Sequence, residues 1–333
     1  MTLDEMLQAA REYHARGDAV GLYRFVRQTI TQAGTPHEEG IARTLLADVL
    51  IRWSLGTPAT IQTELNRARR LLKQWPDDLA YAVFVQLLWR AGENDMEGVH
   101  TLRPAYERLC ADYPDNVAVQ RWRGRLSQWL GRLELARGNL AGATQHFEQS
   151  LSEFLTHEPD PGSREQLIRM SKLRLAEFAL MRRDLSAARR YLDECEGSTI
   201  SRLWETIRAC TEVQYAILTG NLQRARFWMK LAQDWATPQS EASTTLTLTQ
   251  ARLSYALGET QKARLLNLEA RRLAAENKQD HLLPEIREFF RVQASGEGAG
   301  QLMQGGLRND ESFGSLAAAG LNRDSVPGRS SRR

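Results

Sequence analysis

The feature that most constrains this chain is a ladder of small side chains that returns at fixed distances from a series of short turns. With turns placed at Gly138, Arg183, Gly220 and Gly258, the position five residues on is Ala143, Ala188, Ala225 and Ala263. Twelve on stand Ser150, Cys195, Ala232 and Ala270, and seven back stand Gly131, Ala176, Val213 and Ala251. The large positions are as regular: Leu135, Leu180, Ile217 and Tyr255 three before the turn, then Phe147, Leu192, Met229 and, as the exception, Asn267 nine after it. Small residues on both sides of a turn let two antiparallel helices approach closely, while large ones fill the space between successive pairs. The ladder therefore predicts a helical hairpin used in tandem.

The turn chemistry agrees. Gly138, Gly220 and Gly258 can take the left-handed conformation that ends a helix, and Asn139, Asp184 and Asn221 beside them are good N-caps for the second helix. Arg183 and Glu259 are the weaker choices at these two places. Extended backwards, the frame finds turns at Gly17, Gly56 and Gly92, with Thr57-Pro58 as a cap and first helical residue. Seven pairs follow, although after Gly92 the frame slips, because its five-on position is Glu97. Pro76-Asp77-Asp78 and Pro114-Asp115-Asn116 close the second and third pairs, and Pro159-Asp160-Pro161-Gly162 marks the loosest connection. The reading is a helical-repeat domain over 1–294, with weaker repeats over 1–115 and stronger ones over 116–275. A capping helix over 280–293, with Ile286, Phe289 and Phe290 on one face, covers the open end. The Gly-rich stretch 295–333 is expected to be a disordered tail.

Composition narrows the function. With 44 Lys+Arg against 41 Asp+Glu the net charge of +3 is too small to argue for nucleic acid. Only five of the cations are Lys, and the 39 Arg favour bidentate capture of carboxylate or phosphate, although a GC-rich coding sequence produces the same bias. The N-terminus has no basic and apolar leader. The most apolar stretch, Leu79 to Trp89, contains Gln86 and is too short to cross a bilayer, which takes roughly 20 residues. Three widely spaced cysteines, Cys110, Cys195 and Cys210, fit a reducing, cytoplasmic setting and small apolar roles. There is no GxxxxGK[ST] loop, and the six His never fall at i, i+4, so no metal site, cofactor or catalytic residue is expected and the chain reads as a non-enzyme.

On Leu130-Gly131, Gly138-Asn139, Ala143 and Phe147, the pattern resembles tetratricopeptide repeats over about residues 2–275, with units longer than the usual length. The runs Gly220 to Trp228 and Ala251 to Gly258, within 206–275, are similar to the repeat region of ATP-dependent LuxR-type transcription activators, without their ATPase or helix-turn-helix. The resemblance implies an all-α, right-handed solenoid whose first helices line a concave groove, serving as a protein- or peptide-binding scaffold, or alternatively as a regulatory module of the activator kind. Groove positions transferred from that frame are Arg125, Gln128 and Arg132; Met170, Leu173 and Glu177; Ile207, Cys210 and Gln214; and Thr245, Leu248 and Arg252. Arg121, Arg125, Gln128 and Arg132 also fall at i, i+4, i+7 and i+11, one helical face suited to a carboxylate or acidic peptide. Leu173, Ile207 and Leu248 would continue the groove as an apolar lining. Varying repeat length argues against a base-per-repeat RNA reader, and Trp122, Trp129, Trp228 and Trp235 read as core between pairs.

Overall fold

The computed structural model describes residues 3–15, 18–53, 55–93, 95–195, 202–236 and 240–276, together with 279, 282, 283, 285–287 and 289. Among the described residues there are fifteen helices and no strand. Seven hairpins account for fourteen of them. The first three are α1 (Leu3–Ala15) with α2 (Ala19–Gln32), α3 (Pro36–Arg52) with α4 (Pro58–Leu71), and α5 (Pro76–Gly92) with α6 (Met96–Asp112). A single turn, α7 (Val117–Gln120), precedes the fourth, α8 (Arg123–Ala136) with α9 (Leu140–His157). The last three are α10 (Pro161–Met181) with α11 (Leu185–Asp193), α12 (Arg202–Leu218) with α13 (Leu222–Trp235), and α14 (Ser240–Ala256) with α15 (Thr260–Glu276).

The ladder is the core. All four residues of the five-on column are fully buried, as are Ala176, Val213 and Ala251 seven back from their turns. Of the large columns only Leu135 is half-buried. Asn267, the polar exception, is buried and its side-chain amide reaches the Ile286 carbonyl at 3.5 Å. Close approach is literal in the fourth hairpin, where a Cβ on Gly124 would stand 2.6 Å from the Phe154 ring. That glycine is what lets α8 lie against α9 there.

Backbone geometry singles out the same turns. Positive φ occurs at Gly138 (79°), Arg183 (59°), Gly220 (76°) and Gly258 (81°). In each, the next residue's N–H reaches back five residues, as in Asn139 to the Glu134 carbonyl at 2.9 Å and Glu259 to Ser254 at 2.8 Å, the bond that closes a Schellman end. The same bond identifies the earlier turns, from Leu55 to Leu50 and from Asp95 to Arg90. Gly56 and Gly92 have ordinary φ; the frame is corrected at Gly92, whereas counted from Gly56 it holds for α4, with Thr57 as cap and Ile61, Leu65 and Ala68 buried five, nine and twelve residues on. In the second hairpin two extra residues separate the end of α3 from the Thr57 cap. In the third, the cap is Asp95, which accepts from Gly98 N–H at 2.9 Å. Counting from there puts Val99, buried to 1% exposure, at the five-on position in place of Glu97. Pro58 opens α4 as expected, and Pro36, Pro76 and Pro161 open helices too, where the missing N–H costs nothing, so Pro76 begins the third hairpin and does not close the second.

Two compact units divide the chain, 1–133 with 145–171, and 134–144 with 172–333. In the first, Leu22, Leu45, Leu46, Leu65 and Tyr106 belong to one continuous apolar cluster. In the second, Val213, Ile217, Met229 and Leu253 form one cluster, and Leu248, Tyr255, Leu282, Ile286 and Phe289 another. Phe289 meets Tyr255 edge-on at 5.8 Å, so the end of the last hairpin is covered by Ile286 and Phe289. Gly17, Phe290 and the predicted tail 295–333 lie outside the described residues.

Candidate functional site

The polar first helix of the fourth hairpin is not one uninterrupted helix. Asn116 caps α7 through Val119 N–H at 3.2 Å, the chain turns over 121–122, and α8 starts at Arg123. Arg121 therefore stands ahead of α8 and not on its face, which corrects the four-residue stripe. It still converges with Arg125. Their guanidinium carbons lie 5.0 and 5.4 Å from the centre of the Trp122 ring, a cation–π distance. Trp122 in turn stacks on Phe84 and packs on Tyr81, with centroids 5.0 and 4.8 Å apart.

The carboxylate that Arg125 holds belongs to the chain itself. Arg125 Nη1 donates to Glu158 Oε2 at 2.7 Å, and Arg121 Nη2 lies 3.8 Å from Glu158 Oε1. Glu158 is buried to 2% exposure, yet its Oε1 accepts no hydrogen bond. Burial pulls the Arg125 pKa down, the Glu158 charge opposes that, and the nearby Arg121 and Arg52 charges add to the lowering. Arg52 itself is tied to buried Asp48 at 2.8 Å. Tyr81 donates to Asp48 at 3.4 Å, and burial together with that carboxylate pushes its phenol well above the usual range. Arg123 pairs with Glu153 at 2.8 Å.

Gln128 donates to Ser171 Oγ at 2.8 Å, which shares a 2.9 Å bond with Ser150, so its amide fastens side chains within the first unit. Arg132 lies over Trp129 at 5.0 Å. In the second unit Glu177 takes an ion pair from Arg174 at 2.8 Å and a bond from Thr211 at 3.4 Å. Gln214 is half-buried on α12, as is Met170 on α10, and Arg252 pairs with Glu285 at 2.5 Å. The apolar lining is corrected: Leu173, Ile207, Cys210 and Leu248 are all buried to 2% exposure or less, and Thr245 is buried too. A helix turns its face by about 100° per residue, so a small error of phase moves such positions from groove to core. Trp122 is buried, and Trp129, Trp228 and Trp235 pack half-buried against apolar clusters.

Reading the sequence missed Glu158, Asp48, Arg52 and Tyr81. Glu158 is 33 residues from Arg125, in the segment read only as a loose connection, and no spacing rule ties the two together. Among the described residues no group of three His, Cys, Asp or Glu could hold a metal ion, and no helix is long and apolar enough to cross a membrane. Cys110, Cys195 and Cys210 are buried and in no disulfide, with burial pushing the Cys210 thiol up to about 12.

Comparison with solved structures finds the chain similar to a tetratricopeptide repeat protein from Parabacteroides merdae ATCC 43184, with 15% sequence identity and a TM-score of 0.47, covering 84% of this chain and 97% of that one. No family model matches, and no curated protein matches. The likeness of 206–275 to transcription activators finds no counterpart in these comparisons.

Proposed function

We propose that this protein is a non-catalytic, cytoplasmic scaffold that holds a protein segment against the polar face leading into and along α8, the segment being acidic where it meets Arg121, Arg125 and Arg132. The observation that carries the reading is the state of these guanidiniums. The Arg121 and Arg125 side chains keep 19% and 25% of their surface in contact with water, and each is held over an indole ring. An arginine oriented in this way has already lost much of its rotamer freedom, so less is lost when an anion binds. The apolar ladder supplies the rigidity behind it. Three buried cysteines that form no disulfide favour a reducing compartment.

The test is titration with a hexaglutamate peptide, with hexalysine as the control. Wild-type protein is expected to bind the acidic peptide only, and Arg132→Ala to weaken it about tenfold, the worth of one charge-assisted contact. Arg125→Ala is the wrong probe, because it also leaves the buried Glu158 carboxylate without its partner. Equal affinity in wild type and Arg132→Ala removes Arg132 from the binding face.

A further inference from the structure

We propose that Glu158 is an internal stand-in for the partner's carboxylate, seated on Arg125 beside Arg121, and that an external acid binds there by turning Glu158 out on the segment 158–162. The proposal rests on the reading of the Arg121–Arg132 face as an acid-binding surface and adds how that surface is regulated.

Three observations carry it. First, Glu158 is a poor fit to the position it fills. Its Oε2 accepts from Arg125 at 2.7 Å, but Oε1 accepts no hydrogen bond and is 3.8 Å from Arg121. A carboxylate built into a structural ion pair is expected to have its lone pairs satisfied, since an incompletely bonded buried charge is costly. Second, the Arg121 and Arg125 side chains are not sealed in the core, keeping 19% and 25% of their surface exposed. Third, the segment can move without opening the core. Residues 158–160 are non-helical, and Pro159, Asp160, Pro161 and Gly162 are all exposed. The anchors on either side are local: Glu158 N–H bonds Phe154 at 3.3 Å, and Asp160 caps α10 through Ser163 N–H at 2.6 Å. Phe154, fully buried under Gly124, stays as the fixed end.

An intramolecular carboxylate competes at high effective concentration, so removing it must raise apparent affinity for an external one. Full-length Glu158→Gln is expected to bind hexaglutamate at least about tenfold tighter than wild type. Glu165→Gln, which removes an exposed carboxylate on α10, is the control for net charge and is expected to leave affinity unchanged. Hydrogen exchange on wild-type protein supplies a second readout. Saturating peptide should slow exchange over 121–132 and speed it over 155–162, whereas ordinary ligand binding would slow both. Equal or weaker binding by folded Glu158→Gln, or an equal gain in Glu165→Gln, overturns the displacement mechanism and leaves the acid-binding face standing. Failure of wild type and variant alike to bind the peptide overturns both. If Glu158→Gln does not fold, the exchange experiment decides, and protection of 155–162 on binding overturns the proposal.

Discussion

At the scale of single residues, two positions show how a local conformation becomes a stability term. Arg183 occupies the left-handed turn that glycine fills in the hairpins on either side, at φ 59°. An L-residue pays a steric penalty there of roughly 1 kcal/mol, part of which glycine returns to the unfolded chain as entropy. Arg183→Gly is expected to stabilise by about 0.5 kcal/mol, seen as a higher urea midpoint at unchanged m. Asp95 works through its cap. The Gly98 N–H, outweighing partial burial and helped by Arg90, holds its carboxyl below the usual value. A depressed carboxyl stabilises the fold above its unfolded pKa of about 3.9, and that contribution is lost as pH falls through the folded value. Asp95→Ala should therefore cost about 1 kcal/mol at neutral pH, and denaturation curves of variant and wild type should draw together below about pH 4.

At the scale of elements, the hairpins are joined by buried ion pairs as well as by apolar ladders. Glu212 on α12 is fully buried and accepts from Arg189 of α11 at 3.0 and 3.1 Å and from Arg224 of α13 at 3.4 Å. Three helices of the second unit thus meet on one carboxylate. Arg189→Met strands that charge with its longer partner and is expected to cost about 3 kcal/mol, whereas Arg189→Met combined with Glu212→Leu should recover most of the loss. Chemical denaturation of the single and double variants measures it, and a double variant no more stable than Arg189→Met would show that the carboxylate is not the source of the cost. Helix ends were legible beforehand because capping is local: Asp184 and Asn221 accept from the N–H three residues on, at 2.9 and 3.0 Å. The third turn is misplaced by a frame counted from Gly92, because the cap of α6 is Asp95, two residues further along than that frame requires.

At the scale of the whole molecule, the division into two compact units predicts independence. Leu65→Ala falls in the cluster of the first unit and Met229→Ala in one of the second, so their costs should add within about 0.5 kcal/mol. Ile217→Ala and Met229→Ala share a cluster and should show a coupling larger than that in the same cycle. What the sequence determined by itself was the hairpin, its seven-fold repetition and the buried ladder positions from Ala143 to Ala270, because small and large side chains at fixed offsets act through contacts a few residues from a turn. Which polar residues meet was decided only by tertiary structure. Arg125 and Glu158, Arg52 and Tyr81, and Arg252 and Glu285 are brought near one another by how helices and connections pack, and a charge's partner carries no periodic mark along the chain. The same reason explains why Leu173, Ile207 and Leu248 changed from groove to core: burial depends on what covers a helix face, and that is settled by neighbours far away in sequence.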